Sequence, residues 1–240
     1  MARERRARRD PRELVFALCH EVGNLLTAAR LHAHLLAPQV PEPLLREASR
    51  GVARAAARAG ALLAQVRPLL APDTLAPLDL EPVAVLLPLR QALDAESAER
   101  LAIDLGSAAA LPRVRVAPEV LQQLLLSAIF LGLDAGGEQA RVSVSARARG
   151  ESVAFRVGYP APRALPRGPL CGSALVVACA EVVLGAQGGG ARASRADACE
   201  RLDYLVPVAS PTAAAVRRRT GAGGSRRSQT RPRAARARRA

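Results

Sequence analysis

Two stretches of the chain repeat their apolar residues every three or four positions, with prolines between them. In the first, Val15, Leu18, Val22, Leu25, Ala29, His32 and Leu36 alternate steps of three and four. In the second, Leu45, Ala48, Val52, Ala55, Ala59, Leu62, Val66 and Leu69 do the same. This spacing puts each set on one stripe of a helix, so both arms carry a heptad seam that must be buried. Pro38, Pro41 and Pro43 fall between the arms and leave a connection of about four residues, which makes the arms an antiparallel hairpin. One hairpin offers little surface for two seams. Two hairpins pairing as a four-helix bundle would cover both, so a homodimer is expected. Packing of the hairpin on the rest of its own chain is the other way to bury them.

After Pro72-Asp73 the pattern changes. Leu78–Leu80, Leu101–Leu105 and Arg113–Ala117 read as short strands, and Pro82–Ala98 and Pro118–Leu133 as helices. Arg141–Ala148 and Glu151–Val157 alternate with period two across Gly150, a hairpin signal. Leu170–Gly185 reads as a buried helix. Gly188-Gly189-Gly190 is a sharp turn, before a closing hairpin of Arg192–Ser194 and Leu202–Val208. This order predicts a mixed sheet with helices on one face. With three Phe, two Tyr and no Trp, the core must be built from Leu, Val and Ala. The fold class is therefore α+β: an N-terminal antiparallel helical hairpin forming a dimeric four-helix bundle, then an α/β sandwich. The boundaries expected are a basic extension at 1–12, the hairpin at 13–71, the sandwich at 72–209 and a tail at 210–240. The tail is Arg, Ala, Gly and Ser without apolar periodicity, a composition that does not fold.

All 35 basic residues are Arg, which reflects a GC-biased genome as much as function. Their placement says more. Residues 1–12 hold six Arg against Glu4 and Asp10, and residues 217–240 hold ten Arg and no acid. The middle, 13–216, holds 19 Arg and 19 acids and is neutral. A globally basic nucleic-acid-binding fold is excluded, while the tail is expected to attract polyanions. The four Cys, at 19, 171, 179 and 199, form no CxxC pair and no zinc pattern with His. The charged N-terminus lacks the apolar segment of a secretory signal, and no uninterrupted apolar run has span length. A reduced, cytoplasmic protein without a membrane span is expected.

The stretch Ala17-Leu-Cys-His20-Glu21-Val-Gly-Asn24-Leu-Leu-Thr27 concentrates the chemistry. Advancing about 100° per residue from Leu18 keeps Val22, Leu25 and Ala29 within about 40° of the seam. His20 then falls near about 200°, Asn24 near about 240° and Thr27 near about 180°, on the solvent face. Glu21 sits at the edge of that face. An exposed imidazole beside a carboxylate can serve as a nucleophile, with the carboxylate orienting the ring and taking its proton. An amide one turn on can position a water or a phosphoryl oxygen. A solvated helix face carries the same residue types. A zincin is not supported, because position 24 is Asn where HExxH needs His. His32 falls on the seam side, and His34 on the polar face without an acidic neighbour.

His20-Glu21-x-x-Asn24-x-x-Thr27 on the first arm of a heptad hairpin, followed by an α/β domain, resembles the dimerisation and phosphotransfer region of sensor histidine kinases. The family pattern is H-E-x-x-N-P-L-T; Leu25 replaces the Pro here, and Gly23 stands where a basic residue is common. The resemblance covers roughly residues 10–209. It implies that His20 carries the phosphoryl group, that Glu21 is its acid–base partner, and that Asn24 orients water when a phosphorylated receiver is dephosphorylated. Thr27 completes the motif.

The second domain resembles the family's ATP-binding (Bergerat) domain with damaged nucleotide chemistry. Pro118 to Leu125 matches the lead-in to the Asn box, but the two Asn positions read Ser127 and Leu131, and Leu cannot ligate a cation. The D-x-G-x-G box should follow the strand ending at Val157, yet the chain reads Gly158-Tyr159-Pro160. The G-L-G-L box survives only as Gly172-Ser-Ala-Leu175, one glycine of two. The resemblance is thus to histidine phosphotransferases of kinase architecture, whose degenerate domain helps dock receivers. It implies a phosphorelay protein exchanging phosphate between His20 and response-regulator receiver domains, with no metal or cofactor of its own, no ATP, and Mg²⁺ brought by the receiver. Two further readings stand beside it: an active histidine kinase with a divergent ATP site, and a pseudokinase scaffold.

Overall fold

The computed structural model describes residues 10–34, 41–71, 76–136, 140–161 and 170–209. The first nine residues, Leu36, Pro38, Pro72-Asp73 and the Arg-rich tail from 210 lie outside them, as does the side chain of His34. The two arms are helices α1 (Pro11–His34) and α2 (Glu42–Leu63), and the short α3 (Val66–Leu70) follows. Pro41 and Pro43 open α2, where proline's missing N–H is no loss. Between the arms, the His32 ring rests on Gly51, where a Cβ would stand 2.6 Å from it.

The sandwich contributes β1 (Leu78–Leu80), α4 (Pro82–Leu86), α5 (Ala95–Glu99), β2 (Leu101–Ile103) and α6 (Leu105–Ala109). Then come β3 (Val114–Val116), α7 (Pro118–Ala135), β4 (Val142–Arg149), β5 (Ser152–Pro160), α8 (Ser173–Gly185), β6 (Gly190–Ala196) and β7 (Cys199–Pro207). The single helix expected over Pro82–Ala98 is broken. Pro88 interrupts its hydrogen bonding, the chain passes through a 3-10 turn at Leu87–Leu89, and Asp94 caps a new helix by accepting from Ser97 N at 2.9 Å. The strand expected to reach Leu105 stops at Ile103, because Asp104 caps α6 in the same way.

Five strands form one sheet in the order β2-β4-β5-β7-β6, with β2 and β4 parallel and the other pairs antiparallel. β1 and β3 pair as a separate ribbon. Val144, Phe155, Val157, Tyr204 and Val206 point to the face where α7 and α8 pack. There the buried Tyr204 hydroxyl donates to the Leu124 carbonyl at 3.2 Å. The opposite face meets solvent at Ser143, Arg147, Arg149, Ser194 and Arg201.

Part of the hairpin seam goes into this same core, as expected of a hairpin packed on its own chain, while Ala48 and Ala55 are buried outside that cluster. Leu14, Leu18 and Val22 of α1 and Ala59 and Leu62 of α2 join one cluster with α7, α8 and the sheet, and the chain up to Ala209 is one compact unit. What the arms leave outside is a different stripe: Cys19, Gly23 and Leu26 on α1, and Ser49, Ala53, Ala56 and Gly60 on α2. Helix α1 is long and apolar enough to cross a bilayer by length and composition alone, with mean hydropathy 1.2 over an 18-residue window within Pro11–Ala33. It nevertheless carries Glu13, His20, Glu21 and Asn24 on one side and buries Leu14 and Leu18 on the other.

Candidate functional site

One cleft of about 930 Å³ lies between α1 and the sandwich. Phe16, His20, Glu21 and Asn24 form its α1 wall, because positions one helical turn apart share a face. Its other walls come from Arg58 of α2, Leu131 and Asp134 of α7, Tyr159 at the end of β5, Cys171 to Ser173 leading into α8, and Glu200 of β7. His20, Glu21 and Asn24 of α1 therefore face Leu131, Tyr159 and Gly172 of the sandwich across one space.

His20 is exposed, and its Nδ1 lies 3.3 Å from the Asn24 amide nitrogen, one turn on. As placed, the amide donates to a bare Nδ1 and the ring proton sits on Nε2. Turning the amide over presents its oxygen, draws the proton to Nδ1 and leaves Nε2 bare. Glu21 is otherwise engaged. Its carboxylate accepts from Arg58 Nη2 at 2.8 Å, and Arg58 Nη1 donates to Asp134 at 2.7 Å. One guanidinium thus ties α1, α2 and α7 together, and the ring is oriented by Asn24. Thr27 turns back on its own helix, donating to the Gly23 carbonyl at 2.9 Å, and does not line the cleft.

Ser127, Leu131, Gly158 and Gly172 separate in the same way. Ser127 is buried away from the cleft, where its hydroxyl accepts from Gln65 Nε2 and donates to the Ala61 carbonyl at 3.4 Å. It joins the hairpin to α7. Leu131 does line the cleft. Gly158 corrects the expectation placed on it: its Cβ direction points to the outer face, 2.9 Å from Ser143 Oγ, so no side chain there reaches the cleft. Successive strand residues face opposite ways, and Tyr159 is the one that faces in. Its ring lies on Gly132, where a Cβ would approach to 2.8 Å. Burial, reinforced by the charge of Glu200, pushes the Tyr159 phenol well above its ordinary range, so it stays protonated. Burial and the charge of Glu21 likewise raise the Cys171 thiol. Gly172 holds φ 56° just ahead of α8, whose first turn opens on the cleft.

Sequence reasoning brought His20, Glu21, Asn24, Leu131 and Gly172 to the cleft. It missed Arg58, Asp134 and Tyr159. The first two belong to distant helices and carry no local signal. Tyr159 was within reach, since counting alternate residues from Val157 puts it on the inward face.

Neither a family model nor a curated protein matches the chain in sequence. Solved structures match it in shape. The histidine kinase AdeS of Acinetobacter baumannii superposes with TM-score 0.50 at 14% identity, over 80% of this chain and 98% of that one. The histidine kinase ThkA, solved in complex with the response regulator TrrA, superposes with TM-score 0.52 at 14% identity, over 82% of this chain and 61% of that one. At this identity the likeness is one of fold alone: the fold of this chain resembles that of these two histidine kinases.

Proposed function

We propose that this is a two-component phosphorelay protein that carries phosphate on His20 and exchanges it with response-regulator receiver domains. The observation that carries the reading is an exposed imidazole, held by an amide one turn away, on the cleft side of a histidine-kinase-like fold. In the transfer, the bare ring nitrogen attacks phosphorus of the receiver's aspartyl phosphate. The P–O bond to the aspartate breaks, and the carboxylate leaves with the electron pair. With the Asn24 amide turned so that its oxygen accepts from Nδ1–H, the proton stays on Nδ1 and Nε2 is the bare nitrogen free to attack. The step needs alignment more than further groups. Glu21 acts within the Arg58 bridge, setting the position of α1.

A magnesium nucleotide does not suit these residues. Leu131 cannot ligate a cation, Tyr159 fills the inward position at the end of β5, and among the described residues no three His, Cys, Asp or Glu side chains gather as metal ligands. Four carboxylates, Glu13, Glu21, Asp134 and Glu200, face two guanidiniums, Arg12 and Arg58, and this excess opposes a polyphosphate. One feature favours the active-kinase reading: the glycine turn at Gly172 ahead of the open α8 terminus keeps backbone N–H groups free for an anion.

The reading includes a cytoplasmic location and a homodimer through the α1 and α2 stripe of Cys19, Gly23, Ala53, Ala56 and Gly60. Incubation with radiolabelled ATP, and separately with phosphorylated receivers, tests it. Label arriving on His20 from receivers and not from ATP is expected. Label from ATP returns the kinase reading, and no label from either leaves a pseudokinase scaffold.

A further inference from the structure

The uncovered face of the sheet carries a charge pattern that the reading of His20 does not use. Ser145, Arg156, Asp203 and Arg192 lie side by side across β4, β5, β7 and β6. Asp203 is 1% exposed at the centre. Arg156 donates to both of its oxygens, at 2.7 and 3.1 Å, and Arg192 donates to Oδ2 at 2.7 and 3.1 Å. Arg149 stands 3.9 Å from the same carboxylate. Arg147 and Arg201 add two exposed guanidiniums on the same face. Five Arg thus surround one central acid, and Asp104 at the sheet edge offsets part of Arg147.

This is segregation rather than composition. Residues 13–216 are neutral with 19 Arg and 19 acids, yet five of those Arg share this face while Glu13, Glu21, Asp134 and Glu200 line the cleft on the other side. A buried carboxylate fixes the central guanidiniums, so little side-chain freedom is lost when an anion meets them. The face bears no aromatic side chain, since Phe155, Tyr159 and Tyr204 all point inward. Bases therefore have nothing to stack on, which argues against single strands. Strands about 4.8 Å apart and a two-residue step of about 7 Å spread the guanidiniums as a flat array suited to a continuous row of phosphates.

We propose that this face binds the sugar–phosphate backbone of duplex nucleic acid, without reading sequence. It is independent of phosphate transfer at His20. The Arg-rich tail adds charge of its own, so the experiment must separate the two. In the full chain, Arg147→Gln/Arg149→Gln/Arg201→Gln removes three exposed guanidiniums and leaves the central cluster and the tail in place. Binding of a short fluorescent duplex is followed by anisotropy across a salt series, with melting temperature checking the fold. The slope of log K against log salt should become shallower by about 2–3, and affinity at low salt should fall at least about tenfold. Arg195→Gln, exposed on the β6–β7 hairpin but pointing to the other face, should leave both unchanged, as should His20→Gln. An unchanged slope in the triple variant would assign all binding to the tail and overturn the proposal. An equal loss in Arg195→Gln would do the same, by reducing the effect to net charge. Equal or tighter binding of a single strand, or of polyglutamate at matched charge, would overturn the assignment to duplex.

Discussion

Arg58 holds two carboxylates from separate helices, with Arg58 and Glu21 largely out of water and Asp134 exposed. Removing the cation leaves the Glu21 carboxylate without its partner. Arg58→Met should therefore cost about 1–2 kcal/mol, because hydrogen bonds to charged groups in partly buried sites carry roughly that much. Urea denaturation measures it. Glu21→Gln should cost less, and a double-mutant cycle with Arg58→Met should show a coupling clear of zero; additivity would mean the bridge does nothing in solution. His20 has the opposite character. It is exposed, so His20→Gln should shift stability by less than about 0.5 kcal/mol while abolishing phosphate uptake from receivers. Label retained by that variant would remove the basis of the phosphorelay reading.

At the scale of helices, glycines divide into those the monomer needs and those it does not. Gly51 and Gly132 are filled from across the interface, by the His32 ring and the Tyr159 ring. Alanine normally gains about 1 kcal/mol over glycine inside a helix. At these two sites the sign should reverse, with a loss of about 1–3 kcal/mol from overpacking. Gly23 and Gly60 have nothing within reach of a Cβ. In an isolated chain, alanine at either should stabilise by up to about 1 kcal/mol. If two copies meet along that stripe, Gly23→Ala and Gly60→Ala should weaken self-association instead. Light scattering at tens of micromolar separates the outcomes, and an unchanged dimer in both variants would move the interface elsewhere.

For the whole molecule, the shared core makes a thermodynamic prediction. Leu14, Leu18 and Leu62 of the hairpin lie in one cluster with Leu124, Phe155 and Tyr204 of the sandwich. Calorimetry should therefore show one cooperative transition for the body, and Leu18→Ala should lower all of it by about 2–5 kcal/mol. A separate early transition for the hairpin would contradict this. Acid should also act on the whole sheet through Asp203. Burial alone would raise its pKa, but the hydrogen bonds and charge of Arg156, joined by Arg192, hold it below the usual carboxylate range. With the folded value below the unfolded one, the contribution is complete above about pH 4 and is lost as pH falls further. Melting temperature followed from neutral to acid pH should drop through that window, and drop less in Asp203→Asn.

Much of the architecture follows from periodicity alone. The seven-residue pattern marks α1 and α2, period-two alternation marks β4 and β5, and Gly136, Gly150, Pro160 and Gly185 end α7, β4, β5 and α8, because these are properties of neighbouring residues. The cleft-side placement of His20 and Asn24 could be worked out from helix geometry, since a turn repeats every 3.6 residues. Periodicity also shows that a face is buried, but it names no partner. Leu18 and Val22 satisfy a four-helix bundle and an α/β body equally well, and only the fold shows the body covering them. The same limit explains why Arg58 was not foreseen. Its two carboxylates lie 37 and 76 residues away, and no local pattern records such a meeting. Register is decided in three dimensions too: a shift of one position turned attention to Gly158 on the outer face, when Tyr159 is the residue that enters the cleft. Local order is written in the sequence because it depends on adjacent side chains, whereas distant pairings and the side each seam is covered from are fixed only when the chain closes on itself.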